Sequence, residues 1–259
     1  MIRHLFDELA RDAIDPVAAA RRGMRPALPK RFYQEAGVAE REGAFAVMLD
    51  GKTAKTPAKR PLALPTRTLG EAVAAEWAAQ GESIDFMSMP LTRLAQLAID
   101  RVDDEAETIA SEVAKYAGSD LLFYRAAEPA GLAAAQAAAW DPVLAWAGEA
   151  LGARFALAEG VRFVAQPAAA IAAIRIEIGN FEPPFALAAL TSATTLTGSA
   201  LLALALARRR LTLEEAWAAA HVDEDWNIGR WGEDAEAVAR RAARLQEFAA
   251  AARAIAALV

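Results

Sequence analysis

His4 and His221 are the only two histidines among 259 residues, and the chain has no cysteine. An acyl-transfer triad would have to draw on this small set, and of the two imidazoles it is His221 that has acidic neighbours. The run HVDEDW sets Glu224 and Asp225 three and four residues after His221, the spacing that puts side chains on one helix face within reach of a shared metal ion. No third ligand is evident in the sequence, and no GxSxG turn offers a serine. A hydrolase or metal-dependent enzyme using His221 and Glu224 is thus the enzymatic alternative; beyond it the residues provide no catalytic set, no metal site and no cofactor site. Gly51, Lys52 and Thr53 imitate the end of a phosphate-binding loop. Ala46 stands where that loop needs glycine, however, and Pro57 and Pro61 follow where it needs a helix.

The acids after His221 raise a second kind of chemistry, recognition of another surface. If residues 213–231 form one helix at about 100° per residue, Trp217, Ala220, Glu224, Ile228 and Trp231 all fall within about 60° of Leu213. Glu224 then lies mid-stripe, flanked by Asp223 and Asp225. A carboxylate desolvated on an apolar stripe is costly unless a cation meets it. It is either half of an internal ion pair with an arginine of the last helix, or part of a binding surface where tryptophans supply area and Glu224 supplies direction. Trp77 poses the same choice between core and anchor.

The elements that must position these residues follow from composition and pattern. With 55% hydrophobic residues the chain can bury a sizeable core. Its 28 Lys plus Arg against 34 Asp plus Glu give a net charge of -6, unsuited to a phosphate backbone, so no nucleic-acid partner is expected. Residues 183–207 carry no charge and are followed by Arg208, Arg209 and Arg210, like a membrane span with its anchor. Thr191, Ser192, Thr194, Thr195, Thr197 and Ser199 fill the middle, which predicts a buried helix and no stable membrane insertion. Residues 1–29 read as an N-terminal helical extension with Leu5, Leu9 and Ile14 on its sparse apolar side. Asp7, Glu8, Asp12 and Asp15 argue against a targeting presequence and for a cytoplasmic protein.

The fold class expected is α+β, a small N-terminal β-rich domain over 30–90 followed by a larger all-helical domain over 91–259. Strands occupy Lys30 to about Thr56, with Asp50-Gly51 as a tight hairpin turn. Thr68 and Glu71 have capping-box spacing ahead of a helix over 69–80, and Pro90 opens another. A helix near 103–116 should bury Ala106, Ile109, Val113 and Tyr116. Asp141-Pro142 should divide two segments at a bend, and Thr212 with Glu215 forms another capping box. A last helix from near Glu233 toward Leu258 should turn Val238, Leu245, Phe248 and Ile255 inward.

Several strings, in order and spanning about Lys30 to Leu245, resemble one family: KRFYQEAGV, EGAFAVMLDGKTAKTPAKRPLALPT, AAEWAAQGESIDFMSMPLTRLAQLAID, YAGSDLLFYRA, AAWDPVLAWA, LTGSALLALALA and HVDEDWNIGRWGEDAE. Together they look like the assembly chaperones of F-type ATP synthase, of the Atp-twelve type. The resemblance implies a two-domain, non-enzymatic chaperone without cofactor. It would bind the unassembled alpha subunit of the catalytic head and release it to the beta subunit. It also implies the bacterial cytoplasm, or the mitochondrial matrix in eukaryotic relatives; a monomer is expected. Carried over by position, the partner-binding residues are Asp223, Glu224, Asp225 and Glu233, with Trp226, Trp231 and Gly232 as motif positions. Asn227 departs from the glutamine more usual in the family. Trp77 matches the family's EW string and is expected to support the junction between strands and helices.

Overall fold

The structure, a computed structural model, describes residues 28–160, 162–182 and 184–259. The expected N-terminal helix lies, up to residue 27, outside the described residues. The chain divides into two compact units, one ending at Arg101 and the other beginning at Val102.

In the first unit, β1 (Ala36–Arg41) and β2 (Ala44–Leu49) pair antiparallel from Ala36 opposite Leu49 to Arg41 opposite Ala44. Asp50 and Gly51 take positive φ angles of 46° and 75° and turn the chain into β3 (Lys52–Thr53), as the dipeptide predicts. The Asp50 carboxylate accepts the backbone N–H groups of Gln34 and Glu35, and these bonds hold its pKa below the usual carboxylate value. The short β4 (Ala63–Leu64), which no sequence signal marks, joins the same edge of β2.

Helix α1 (Arg67–Ala78) packs against this sheet through Leu69, Val73 and Trp77. Its cap is Thr66, whose hydroxyl accepts the Leu69 N–H at 3.3 Å, so the expected Thr68–Glu71 box is not the cap. Thr66 holds extended backbone directly after β4 and Pro65, which brings the helix start forward by two residues. Trp77 is buried, edge-on to Tyr33 and Phe86, and its carbonyl accepts the Tyr33 hydroxyl at 2.7 Å. Helix α2 (Pro90–Leu97) begins with proline, and its first free N–H groups go to a carboxylate. Glu76 accepts from Leu91 at 2.8 Å and from Thr92 at 2.7 Å, while burial pushes its pKa up.

The second unit is helical apart from β5 (Tyr124–Arg125) and β6 (Ala158–Glu159), a two-residue parallel pair that the sequence reading did not expect. Helix α3 (Asp103–Tyr116) buries Ile109 and Val113 as expected, with Ala114 in place of the half-buried Ala106 and Tyr116. Helix α4 (Ala130–Ala150) runs unbroken through Pro142, so the expected division there is not observed. Proline removes only the N–H that would meet the Ala138 carbonyl, and burial of Trp140, Val143 and Ala147 fixes the helix around it.

Helix α5 (Ala168–Ile178) precedes the charge-free stretch, which forms two helices, α6 (Phe185–Thr197) and α7 (Ala200–Ala207). Gly198, at φ 69°, separates them. Thr191 and Thr197 donate their hydroxyls to the carbonyls of Leu187 and Ala193, at 2.7 and 2.8 Å, which lets a polar run sit in an apolar core. Among the described residues no helix is long and apolar enough to cross a membrane. Helix α8 (Leu213–Ala220) opens with the expected capping box, Thr212 and Glu215 each bonding the other's backbone. Helix α9 (Val222–Trp231) and α10 (Ala235–Leu258) complete the chain.

All of α7 except Leu206 is buried, and its N-terminus is met by the fully buried Asp120. This carboxyl accepts the N–H of Leu201 at 3.1 Å and that of Leu122 at 3.2 Å, with the Ser199 hydroxyl and the Ala200 N–H also engaged. Burial outweighs these bonds and raises its pKa from 3.8 to about 6. Between those values the folded state keeps a proton that the unfolded state has released, so stability from this group falls as pH rises from about 4 to about 6 and levels off above. Urea unfolding of the wild type and of Asp120→Asn across this range should show the wild type losing about 3 kcal/mol relative to the variant. A pH-independent difference would remove the buried carboxyl from this role.

Candidate partner-binding site

The segment 213–231 is two helices, and the break falls at His221 (φ -122°, ψ 20°). In a continuous helix the Trp217 carbonyl would accept the backbone N–H of His221. Here the imidazole Nδ1 occupies that carbonyl at 2.8 Å, and the backbone N–H turns to Ala218 at 3.1 Å. The turn tightens and the helix ends. The Trp140 indole N–H then takes the Ala219 carbonyl at 2.7 Å, which ties the end of α8 to α4.

This break overturns the stripe expected to run through Glu224. The Glu224 side chain is 57% exposed, and no residue of α9 is buried among the described residues. Neither desolvation nor an internal ion pair applies to it. The arginine from the last helix is Arg241, and it pairs with Asp225. Asp223 accepts from the buried Gln136 amide at 2.7 Å, and the other end of that amide accepts the Ala126 N–H at 2.7 Å. Glu236 pairs with Arg240. Glu224 and Glu233 both lie near enough to Arg241 to help raise its pKa, after the Asp225 bond.

His221 is 3% exposed and its ring lies against Trp217, with centroids 3.9 Å apart. A carbonyl can only accept, so Nδ1 carries a proton and Nε2 is the free nitrogen, 3.9 Å from Glu224. Burial lowers the imidazole pKa, which keeps the ring neutral. This is the environment of a structural pin at a helix junction. Among the described residues no group of three or more acids and histidines converges as a metal site would require.

Trp226 and Trp231, five residues apart, have different settings. Trp226 is half-buried, with the Cη2 edge of its six-membered ring toward Gly131 of α4 and the Arg230 guanidinium of α9 itself 4.7 Å from its ring centroid. Trp231 is 79% exposed at the end of α9. Gly232 follows with φ 85° and ψ 179°, a conformation reserved for glycine, and its N–H closes the helix on the Ile228 carbonyl at 2.9 Å. Asp234 then caps α10 through the Ala237 N–H at 2.8 Å. Every residue over 229–240 is exposed, Glu233 and Val238 included. Val238 was expected inward, but α10 reaches the core only later, where Arg244 donates to the Leu196 carbonyl and Phe248 is fully buried. Leu245 is half-buried, and Ile255 is buried as expected.

The elbow from α9 to the first turns of α10 therefore gathers Glu224, Trp231, Gly232 and Glu233 on open surface. Asp223, Asp225 and Trp226 face fixed partners of the same unit. Gly131, Gln136 and Arg241, which hold the elbow, were not anticipated. The sole trace of Gly131 in the sequence is a glycine inside an alanine-rich helix. Trp77 belongs to the first unit, in the core of which it is buried.

The profile of the ATP12 chaperone protein family matches residues 30–148. The crystal structure of a candidate chaperone from Agrobacterium tumefaciens is similar at a TM-score of 0.87 and 46% identity, covering 99% of this chain and 97% of that one. Atp12 from Paracoccus denitrificans is similar at a TM-score of 0.82 and 39% identity, covering 89% of this chain and 99% of that one.

A methyl group at position 232 is incompatible with the backbone that links α9 to α10. Gly232→Ala should cost about 1–3 kcal/mol in urea unfolding, as residues forced into such regions do. Glu224→Gln, on an open face, should leave the midpoint unchanged. A Gly232→Ala variant as stable as the wild type would mean that the elbow has another accessible turn.

Proposed function

The chain belongs to the ATP12 chaperone family, and from that premise we propose that it binds the unassembled alpha subunit of the F-type ATP synthase head through its α9–α10 elbow. It yields that subunit to the beta subunit without catalysing a reaction. The observation that carries the assignment of the surface is Trp231. A tryptophan left 79% exposed at the junction of two helices has no role in the chain's own core. It is the kind of side chain that anchors interfaces when a partner supplies a pocket. Glu224 and Glu233 share the open elbow with it, both near Arg241, and the neutral His221 beside Glu224 adds no positive charge. The fitting partner surface is an apolar recess with a basic rim.

An alpha subunit outside its ring exposes surfaces made for its neighbours, and such surfaces aggregate. A chaperone covering one of them acts by mass action, and a partner that binds the same surface more tightly displaces it with no energy source. Shielding of this kind requires an exposed anchor on a folded scaffold, and the elbow has both.

With isolated alpha subunit, the wild type should form a complex and suppress light scattering in the absence of nucleotide. Trp231→Ala and Glu224→Lys should each weaken the complex by about tenfold or more, as loss of an anchor or reversal of a guiding charge does. Their melting temperatures should match the wild type. Unimpaired binding by both variants would move the interface off the elbow, and aggregation unaffected by the wild type would refute the chaperone assignment itself.

A further inference from the structure

Helix α9 contributes nothing to the core of its unit, so its direction must be set by a few contacts at its inner face. Two of these come from α4. The buried Gln136 amide links Asp223 to the Ala126 backbone, as described above. Beside it, Gly131 receives the Cη2 edge of the Trp226 ring so closely that a Cβ at 131 would stand 2.4 Å from the indole Cη2 and 3.2 Å from both Cζ2 and Cζ3. Carbon atoms at 2.4 Å cannot coexist, so a Cβ at 131 displaces the indole and with it one of the two contacts through which α4 holds α9. Arg230 covers Trp226 as well, and the next residue of α9 is Trp231. A shift of Trp226 is therefore transmitted to the exposed anchor within one and a half turns of helix.

We propose that Gly131 is a positioning residue for partner binding: it forms the seat that fixes α9, and hence Trp231, in the orientation the partner recognises. This rests on the assignment of the elbow as the binding surface. Gly131 is exposed on its remaining sides, and the side that a Cβ would occupy faces Trp226. Glycine is required here for the room it leaves, not for its backbone angle, since α4 is regular at this point.

The test measures affinity for isolated alpha subunit in full-length wild type, Gly131→Ala, Gly131→Ala with Trp226→Phe, and Trp231→Ala. Gly131→Ala should weaken binding by about tenfold, a loss typical of a displaced anchor. Phenylalanine lacks the colliding indole atoms, so the double variant should recover to within about threefold of the wild type. A role confined to stability would lower the melting temperature of Gly131→Ala and leave the affinity of the folded protein unchanged, which would overturn the seat. A double variant that folds but binds as weakly as Gly131→Ala would overturn it too, and this arm decides the matter if Gly131→Ala alone does not fold. Loss of binding in Trp231→Ala together with normal binding in Gly131→Ala would refute the seat and keep the elbow. Normal binding in both would refute the elbow and the seat with it.

Discussion

The N-terminus of α7 is the polar point on which the helical unit depends. An eight-residue helix of alanine and leucine, ALLALALA, is an ideal core element except at its first turn, where free N–H groups point into a space without water. Asp120 and Ser199 meet those groups from within the protein. Leaving them unmet would cost about 1–3 kcal/mol each. The first unit repeats this device, with Glu76 set against the start of α2. In both cases burial raises the pKa of the carboxyl, and the start of a helix dipole faces it. Asp120 reaches α7 across 81 residues of chain, whereas Glu76 sits on the helix just before α2.

The elbow is organised on the opposite plan. From α7 outward, side chains pass from fully buried, through Trp217 and His221 at the junction of α8 and α9, to a surface with open tryptophan and open acids. The polar groups are satisfied locally: Nδ1 of His221 on a carbonyl, Asp223 on Gln136, Asp225 on Arg241, Asp234 on the start of α10. The elbow is thus rigid without being buried, the condition under which a surface binds without paying to order itself first.

The sequence makes some of this legible because the governing interactions are local. Asp50-Gly51 is a hairpin turn wherever two strands flank it, and Thr212 with Glu215 needs only its own helix. The capping box at Thr68 failed for a local reason too, since Thr66 was free to cap first, at the exit of a strand too short to recognise. Pro142 misled because its penalty is local while the burial that overrides it comes from distant helices. The same holds for Glu224. Its place on the stripe was correct for a continuous helix, but one side-chain hydrogen bond from His221 to the turn before it ends that helix, and angular bookkeeping cannot register such a bond. Of the residues carried over from the family, Glu224, Trp231, Gly232 and Glu233 lie on open surface, while Asp223 and Asp225 are engaged in pairings 87 and 16 residues apart in the chain, with Gln136 and Arg241.

A transient shield faces two opposing demands. It must cover enough of its client to prevent self-association, yet release it to a competitor. Stable interfaces bury about 1,600 Å² in all, and most of their energy resides in a few central side chains. An elbow with one open tryptophan and a fringe of carboxylates suits the weaker end of that range. On the proposed reading its charges would raise the rate of encounter, and a single anchor would limit how long the complex lasts. A second buried aromatic at the tip would lengthen that residence by orders of magnitude and make displacement slow. On the same reading, Trp226 against Gly131 would orient the elbow and Trp231 at its tip would hold the client, a division of labour that favours release.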